Sequence, residues 1–194
     1  MKDDPSETTD DLKLIRRCLA GDQDAFPVLY GRYRLQLYSY LGKMLPGDTH
    51  LVNDLFQQTW LKVLDNLARY EHRQKFISWL FRIAHNLVVD HVRRHSRREL
   101  VEIDDNLADE DAEDVWEGMD KETLIQAVAQ AAATLAPEQQ EVLALRQQGI
   151  PFREIAEIQN TNINTVLGRM HYAVKRLRLM LRDYMTEQPL DREG

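Results

Sequence analysis

The segment that most constrains the fold is residues 76–98, which read FISWLFRIAHNLVVDHVRRHSRR. Its apolar residues recur at steps of three and four, the spacing of an amphipathic helix: Ile77, Leu80, Ala84, Leu87 and Val88. Another face carries a ring, two cations and an amide, which suit base stacking, phosphate contacts and base-edge contacts: Trp79, Arg82, Asn86 and Arg93. The segment alone fits a nucleic-acid-binding helix and a core helix with a solvated basic end equally well.

Helical spacing recurs along the rest of the chain. Further helices are predicted from Asp10 or Asp11 to Gly21, over about 24–43, 48–67, 122–135, 137–149 and 152–158, and from Ile163 onward. No sustained alternation and no Asn-Gly or Asp-Gly turn indicates a strand or a hairpin. The sequence therefore predicts an all-α protein.

The predicted organisation is two small helical domains joined by an acidic flexible linker. A disordered tail over 1–9 precedes a four-helix domain over 10–98, and the linker covers 99–121. A domain with a helix-turn-helix follows over 122–186, and a short tail over 187–194 ends the chain. The sequence does not determine whether the two domains contact each other.

Acidic and basic residues are concentrated in different parts of the chain. The net charge of −7 suits a nucleic-acid binder poorly. Residues 99–122, however, hold twelve acidic residues and one basic residue, a charge of −11, so the rest of the chain carries +4. Residues 1–98 account for that excess, and residues 169–182 hold five basic residues and no acidic one. We expect two basic surfaces and one acidic segment.

Several function classes are disfavoured by what the sequence lacks. No apolar run reaches the roughly 18–20 residues of a membrane span, and the N-terminus, MKDDPSETTDD, does not resemble a secretory signal. The one cysteine, Cys18, excludes an internal disulfide framework and fits a reducing cytoplasm. No paired carboxylates, phosphate loop or nucleophile motif stands out, so neither an enzyme nor a bound cofactor is predicted.

A second candidate for nucleic-acid binding lies near the C-terminus. A short helix over 152–158, a polar turn over 159–162 and a longer helix capped by Asn162 have the pattern of a helix-turn-helix. In that motif the start of the second helix enters the major groove, which predicts base contacts for Asn164, Thr165, Gly168 and Arg169. Lys175 and Arg176 suit phosphate contacts. The alternative is a helical hairpin with a packing role alone.

Four blocks carry a resemblance to a known family: LIRRCLAGDQDAFPVLYGRY, NDLFQQTWLKV, FISWLFRIAHNLVVDHVRR and LAPEQQEVLALRQQGIPFREIAEIQNTNINTVLGRM. They resemble regions 2 and 4 of bacterial sigma-70 family sigma factors of the small extracytoplasmic-function (ECF) type, over about 11–98 and 123–183. The resemblance implies a transcription initiation factor that binds core RNA polymerase. It would direct polymerase to promoters by recognising −10 and −35 elements and by assisting DNA melting.

The resemblance also implies roles for particular residues. The second block is similar to the helix that binds the clamp helices of the polymerase β′ subunit, which assigns core binding to Asn53, Asp54, Gln57 and Gln58. The third block and the loop before it are similar to the part of region 2 that recognises the −10 element and captures a flipped base. This similarity assigns −10 contacts to Arg69, Tyr70, His72, Arg73, Gln74, Lys75, Phe76, Arg82, Asn86, Arg93 and Arg94. The fourth block implies −35 recognition by the helix-turn-helix and a contact with the β flap.

The chain departs from the family pattern at several of these positions. Asn53 replaces one residue of a usual acidic pair, and Gln58 replaces a usual glutamate. Leu167 and Gly168 stand where a basic residue and a serine are frequent, and Tyr172 stands where an arginine is common. The departures imply a smaller ionic share in core binding and a changed −35 preference.

Promoter DNA and core polymerase are the partners that the resemblance implies. An anti-sigma factor is a further partner, since it often holds family members of this type, although the sequence contains no direct sign of one. Two rival interpretations remain: a stand-alone helix-turn-helix regulator, and a metal protein built on His91 and His95, which are four residues apart. The cations between the two histidines disfavour the metal interpretation.

Overall fold

The computed structural model describes residues 5–70, 75–95 and 121–187. Eight α-helices and no β-strand form within these residues, which confirms the all-α class. The helices are α1 (Pro5–Leu19), α2 (Ala25–Met44), α3 (Thr49–Asn66), α4 (Phe76–His95), α5 (Lys121–Ala133), α6 (Pro137–Gln147), α7 (Phe152–Ile158) and α8 (Ile163–Glu187). A 3₁₀ turn over Leu67–Arg69 follows α3. The predicted linker, except for Lys121, and the tail beyond 187 lie outside the described residues.

The first helix begins earlier than the sequence predicts. It begins at Pro5 and not near Asp10 or Asp11, so residues 5–9 are helical and not a tail. Proline is favoured at the first helical position, where its missing N–H costs nothing, and this makes Pro5 a good start. The helix ends near Gly21, whose φ of +87° suits a glycine.

Two helix starts are fixed by side-chain caps. The Asp48 side chain accepts a hydrogen bond from the backbone N–H of Leu51 at 2.9 Å, at the start of α3. Asn162 Oδ1 accepts from the backbone N–H of Thr165 at 2.8 Å, at the start of α8. Each cap satisfies an N–H that has no partner within its own helix. The predicted cap at Asn162 is confirmed.

Helices α1 to α4 form the first helical unit, around apolar residues at helical spacing. Its fully buried side chains include Leu29, Leu37, Leu41, Val63, Phe76, Leu80 and Phe81. On α3, Leu64 is 47% exposed, whereas Val52 and Trp60 are buried. The buried stripe of α3 runs along positions 52, 55, 59, 60 and 63, which turns position 64 outward.

A buried carboxylate joins α1 to α2. Asp11 accepts hydrogen bonds of 2.5 Å from the Tyr33 hydroxyl and from Arg32 Nη1. Arg32 also donates to Asp10 at 2.7 Å. Burial raises the pKa of Asp11, and its partners offset part of that effect. The pairing lets a charged residue lie inside the first helical unit.

Helices α5 to α8 form the second helical unit. Helix α8 packs on α5, α6 and α7, and the unit buries apolar residues from all four helices: Ala127, Ala131, Val142, Leu145, Ile155, Ala156, Ile158, Val166 and Ala173. Gly149, with φ +79°, follows the end of α6, and Asn160, with φ +49°, occupies the turn between α7 and α8. Both positions need the left-handed conformation, which glycine and asparagine adopt most readily.

The two helical units contact each other directly. Helix α2 lies against α6, and α4 lies against α7. One continuous cluster of buried apolar residues runs from the first unit into the second, from Leu37 and Phe81 to Val142 and Leu145. The described part of the chain is therefore one closed body, an arrangement that the sequence left open.

Candidate nucleic-acid and protein interfaces

The four residues predicted to bind polymerase share one exposed face of α3. Asn53, Asp54, Gln57 and Gln58 are all exposed, and their spacing places them on adjacent turns. Leu61 and Leu64 continue this face and are 60% and 47% exposed. The sequence prediction did not include these two leucines; the available signal was a leucine off the buried stripe of an amphipathic helix. We call these six residues the α3 surface.

Aromatic packing beneath the α3 surface holds α3 against α2. Trp60, on α3, lies 5.0 Å from the Tyr30 ring and 5.8 Å from the Phe26 ring, measured between centroids. Phe56 lies 6.1 Å from Tyr30 and 5.7 Å from Tyr38. Rings at these separations add favourable edge and tilted contacts to their burial. The α3 surface therefore rests on a rigid base.

Two of the predicted −10 residues of α4, Arg82 and Asn86, line a cavity of about 320 Å³. The cavity lies between α4 and the end of α3 and is lined by Lys62, Asn66, Arg69, Trp79, Arg82, Ile83, Asn86, Leu87 and Asp90. Four of these were singled out from the sequence: Arg69, Trp79, Arg82 and Asn86. Lys62 and Asn66 were missed, although a cation and an amide four residues apart on α3 were the available signal. We call this the α4 cavity.

The α4 cavity offers a ring, amides and cations to a bound group. Arg82 Nε is buried without a hydrogen-bond partner in the described part of the chain, while its Nη2 donates to Glu157 at 3.3 Å. Arg93 and Arg94 are exposed beyond the cavity, and Arg93 contacts Asp90 at 3.2 Å. A planar ring beside unpaired donors can hold a nucleotide base and its phosphate.

The predicted base-capturing loop is described in part. His72, Arg73 and Gln74 lie outside the described residues. Arg69 is exposed, and Tyr70 and Lys75 are half-buried. Burial and the nearby Asp11 and Glu154 carboxylates raise the pKa of Tyr70 to about 12, so its hydroxyl stays protonated.

Phe76 differs from its prediction. Its side chain is fully buried, and its ring lies 5.3 Å from Tyr33 and 5.7 Å from Trp79. It is therefore a core residue that packs against the Trp79 ring. It does not stack on a base in this conformation. Its place at the start of an amphipathic helix, four residues before the buried Leu80, was the sequence signal for this role.

The helix-turn-helix has the predicted arrangement of α7, a turn and α8. Asn164 and Arg176 are exposed, and Thr165, Gly168 and Lys175 are half-buried. Arg169 is also half-buried, because its Nη1 donates to Gln159 Oε1 at 2.8 Å. The structure adds exposed apolar side chains on the same helix, which the sequence prediction left out: Ile163, Leu167 and Tyr172. Such side chains can contact thymine methyl groups.

A buried carboxylate lies where the two helical units meet. Glu141 of α6 is 4% exposed and accepts hydrogen bonds from the Tyr40 hydroxyl at 2.5 Å and from Gln159 Nε2 at 2.8 Å. His85 Nδ1 lies 2.7 Å from the same carboxylate. Burial alone would raise the pKa of Glu141, but the hydrogen bonds and charge of its partners outweigh burial and lower it.

The side chain of His95, one of the two histidines of the metal interpretation, lies outside the described residues. Among the described residues, no three metal-ligating side chains cluster together. His85 faces Glu141, and His91 has a partner of its own.

No helix in the described ranges is long and apolar enough to cross a membrane.

Comparison with known proteins identifies the class. The family model for sigma-70 region 2 matches residues 29–98, and the model for sigma-70 region 4 matches residues 125–177. The match to region 2 contains the α3 surface and α4, and the match to region 4 contains the helix-turn-helix. The chain belongs to the sigma-70 family.

Sequence relatives place it within that family. It is 31% identical over 179 residues to the ECF RNA polymerase sigma factor BldN of Streptomyces coelicolor, covering 89% of this chain and 66% of the relative. It is 28% identical to SigW of Bacillus subtilis over 88% of this chain and 96% of the relative. It is therefore an ECF-type sigma factor, a transcription initiation factor that directs RNA polymerase to promoters.

The fold is similar to that of sigma factors in solved complexes. The structure of CnrH with the cytosolic domain of CnrY superposes with a TM-score of 0.64 at 23% identity, covering 90% of this chain and 98% of that one. The sigma factor RpoE of Bartonella quintana, in complex with the anti-sigma factor NepR, gives 0.62 at 21% identity over 86% and 98%. These matches support the all-α fold with a region 2 and a region 4 unit.

Proposed function

We propose that the α3 surface binds core RNA polymerase and that α4 reads the −10 element with a base held in the α4 cavity. The start of α8 reads the −35 element. All three steps are binding events without bond chemistry in this protein, and they take place in the cytoplasm, where RNA polymerase acts. The observation that carries the proposal is the cavity itself, because it gathers −10 residues from separate segments around one space.

The α4 cavity suits an extruded base because it combines a stacking surface with edge contacts. Trp79 provides a ring, Asn66 and Asn86 provide amides, and Arg69 and Arg82 provide cations. Removing a base from the stack costs a few kcal/mol, which stacking and hydrogen bonds in a fitted pocket offset. Arg93 and Arg94 hold the flanking phosphates by salt-dependent contacts.

The α3 surface suits a protein partner because it mixes exposed leucines with amides and one carboxylate. An apolar centre with a polar rim is the usual composition of a protein interface. Leu61 and Leu64 are the candidates for its centre, and Asp54 and Gln57 lie at its rim. Because the surface carries one carboxylate, a basic patch on polymerase would contribute a modest ionic share.

An anti-sigma factor is a further proposed partner. Two solved structures with this fold contain a sigma factor bound to another protein, namely NepR and the cytosolic domain of CnrY. In this chain the exposed α3 surface is the site where such a protein would compete with polymerase. The rival of a stand-alone regulator does not account for the α3 surface or for the region 2 match.

Run-off transcription tests the proposal. Purified core polymerase and this protein, on the promoter region of its own gene, should give a defined transcript that requires both components. The double variant Arg82→Ala/Asn86→Ala should lower transcript yield at least about tenfold, the effect of losing 1.4 kcal/mol. Arg16→Ala, which removes an exposed cation from α1, is the matched control and should leave the yield unchanged.

Two other outcomes have defined meanings. A protein that fails to bind core polymerase would overturn the assignment of the α3 surface. Full transcription by the double variant would overturn the assignment of the α4 cavity.

A further inference from the structure

We propose that Asp11 and Tyr33 are positioning residues for the α4 cavity, and that they hold in place the Trp79 ring on which an extruded base stacks. The inference rests on the proposed function, because it concerns the base held in that cavity. Asp11 lies on α1, which precedes the residues that the region 2 model matches and carries none of the predicted −10 residues. Three observations carry the inference: the contact between Asp11 and Tyr33, the aromatic contacts from Tyr33 to Trp79, and the packing of α1 against the turn that contains Arg69.

The contact between Asp11 and Tyr33 is buried and has a fixed direction. The two residues are 4% and 7% exposed. The Tyr33 hydroxyl donates to Asp11 Oδ2, and Arg32 Nη1 donates to Asp11 Oδ1, each at 2.5 Å. Burial and the contact with Asp11 raise the pKa of Tyr33 far above its ordinary value, so its hydroxyl stays protonated and keeps donating. Because a buried hydroxyl that loses its acceptor is costly, Asp11 fixes the position of the Tyr33 ring.

Aromatic rings connect Tyr33 to the wall of the α4 cavity. The Tyr33 ring lies 5.3 Å from the Phe76 ring, and the Phe76 ring lies 5.7 Å from that of Trp79, which lines the cavity. The Tyr70 ring completes the group, at 5.9 Å from Phe76 and 5.1 Å from Trp79. Because Phe76 is fully buried and interiors are close-packed, a displacement of the Tyr33 ring is transmitted through Phe76. The position of Tyr33 therefore determines where the Trp79 ring lies in the cavity.

Helix α1 supports a second part of the cavity wall. It packs against the 3₁₀ turn Leu67–Arg69, and Arg69 from this turn lines the α4 cavity. Asp11 is also close to Tyr70, the residue after the turn, because its charge adds to the effect of burial in raising the pKa of the Tyr70 hydroxyl. One helix thus supports both a cation and the stacking ring of the same cavity.

Fluorine NMR tests this connection without any DNA or transcription readout. The full chain labelled with fluorotryptophan gives a resonance for each tryptophan, and Trp79→Phe and Trp60→Phe assign two of them. Tyr33→Phe removes the hydroxyl and leaves the ring, so it should shift the Trp79 resonance and not that of Trp60, which packs on Tyr30. Tyr38→Phe, the same change at an exposed position of α2, should leave the Trp79 resonance in place. An unshifted Trp79 resonance in Tyr33→Phe would overturn the proposal.

A second variant alters the same contact from α1. Asp11→Asn keeps the size of the side chain but replaces one accepting oxygen with an amide that donates, so Tyr33 or Arg32 loses its acceptor. It should shift the Trp79 resonance as well, with helix content by circular dichroism unchanged. Ile15→Val is the control for lost stability, because it removes a methyl group from a buried residue of the same helix and no polar contact. It should leave the Trp79 resonance unshifted, and an equal shift in this control would overturn the proposal.

Binding of single-stranded DNA to the complex with core polymerase tests the role in base capture. The probe is a fluorescent oligonucleotide with the non-template sequence of the −10 element that run-off mapping defines, and anisotropy measures its affinity. Asp11→Asn and Tyr33→Phe should each weaken binding about fivefold, a part of what a stacked base contributes. The double variant should bind as the single variants do, because both changes act through one contact. Affinity for the −35 duplex should not change. Lower stability with wild-type affinity for the −10 strand in both single variants would overturn the positioning role.

The two proposals fail in different ways. If wild-type protein gives no transcript with core polymerase while Tyr33→Phe still shifts the Trp79 resonance, the proposed function fails and the connection between Tyr33 and Trp79 stands. If transcription proceeds but the −10 strand binds to the variants and to wild type equally well, the proposed function stands and the positioning role fails.

Discussion

The imidazole of His85 and the carboxylate of Glu141 lie 2.7 Å apart, although 56 residues separate them in the sequence. His85 belongs to the helix predicted to read the −10 element, and Glu141 belongs to the second helical unit. Because the lowered pKa of Glu141 keeps it ionised and an ionised carboxylate only accepts, His85 Nδ1 is the donor. The pair therefore also orients the imidazole of a histidine beside Asn86.

The pKa of Glu141 predicts a dependence of stability on pH. Because the pKa of Glu141 is lowered in the folded protein, its ionised form stabilises the fold at pH values above 4.5, the ordinary pKa of a glutamate. This contribution disappears as the pH falls through the lower pKa of the folded state. At pH 7, Glu141→Gln should lower the free energy of unfolding. The gap between variant and wild type should narrow below pH 4.5. Urea unfolding of both proteins at several pH values measures this, and a gap independent of pH would contradict it.

Substitution on the α3 surface should weaken polymerase binding without loss of stability. Asp54→Ala/Gln57→Ala removes two exposed polar side chains, and core polymerase should bind about tenfold more weakly if they contribute as interface residues do. Surface plasmon resonance with immobilised core polymerase measures the affinity. Asp65→Ala, an exposed carboxylate on the same helix, is the control, and equal weakening by this variant would remove the assignment.

Truncation of a buried ring should destabilise the protein strongly. Phe81 is fully buried and lies 5.1 Å from the Tyr40 ring, so Phe81→Ala should cost about 3–5 kcal/mol through lost burial and a cavity. Leu61→Ala, at a residue 60% exposed, should change stability by less than about 0.5 kcal/mol. Urea unfolding followed by circular dichroism compares the two. Similar losses for both variants would disagree with the described burial.

Two neighbouring asparagines should separate stability from DNA recognition. Asn162 caps α8 through Thr165, so Asn162→Ala should cost about 1 kcal/mol of stability. Asn164 is exposed in the first turn, so Asn164→Ala should keep the melting temperature and weaken binding to the −35 duplex that run-off mapping defines. Thermal unfolding and duplex titration on both variants provide the check, and a reversal of the two effects would reject this division of roles.

Local spacing predicted most of the fold. The apolar steps of α4 and the pattern of α7, turn and α8 were read correctly, because a helix shows its buried face in its own sequence. The partner of that face is not encoded locally, so the contacts of α2 with α6 and of α4 with α7 could not be predicted. Phe76 illustrates the same limit: a ring beside a basic helix suits stacking on a base and burial equally well.

The same distinction between local spacing and tertiary packing applies to the site residues. Exposure of Asn53, Asp54, Gln57 and Gln58 follows from helical spacing alone. The α4 cavity needed the end of α3, and Lys62 and Asn66 enter it only through tertiary packing. Glu141 is one of two glutamates in the sequence of α6, and neither its burial nor its partners can be recognised from the sequence.

The continuous buried cluster that joins the two helical units carries a consequence for solubility. If the units separate, the apolar side chains that now meet between α2 and α6 face water, and exposed apolar surface of that kind promotes association with other surfaces. The separated form would be prone to aggregation on its own and would persist only while polymerase, DNA or another protein covers that surface. Opening would thus be coupled to binding, so the amount of open protein in a cell would track the supply of its partners.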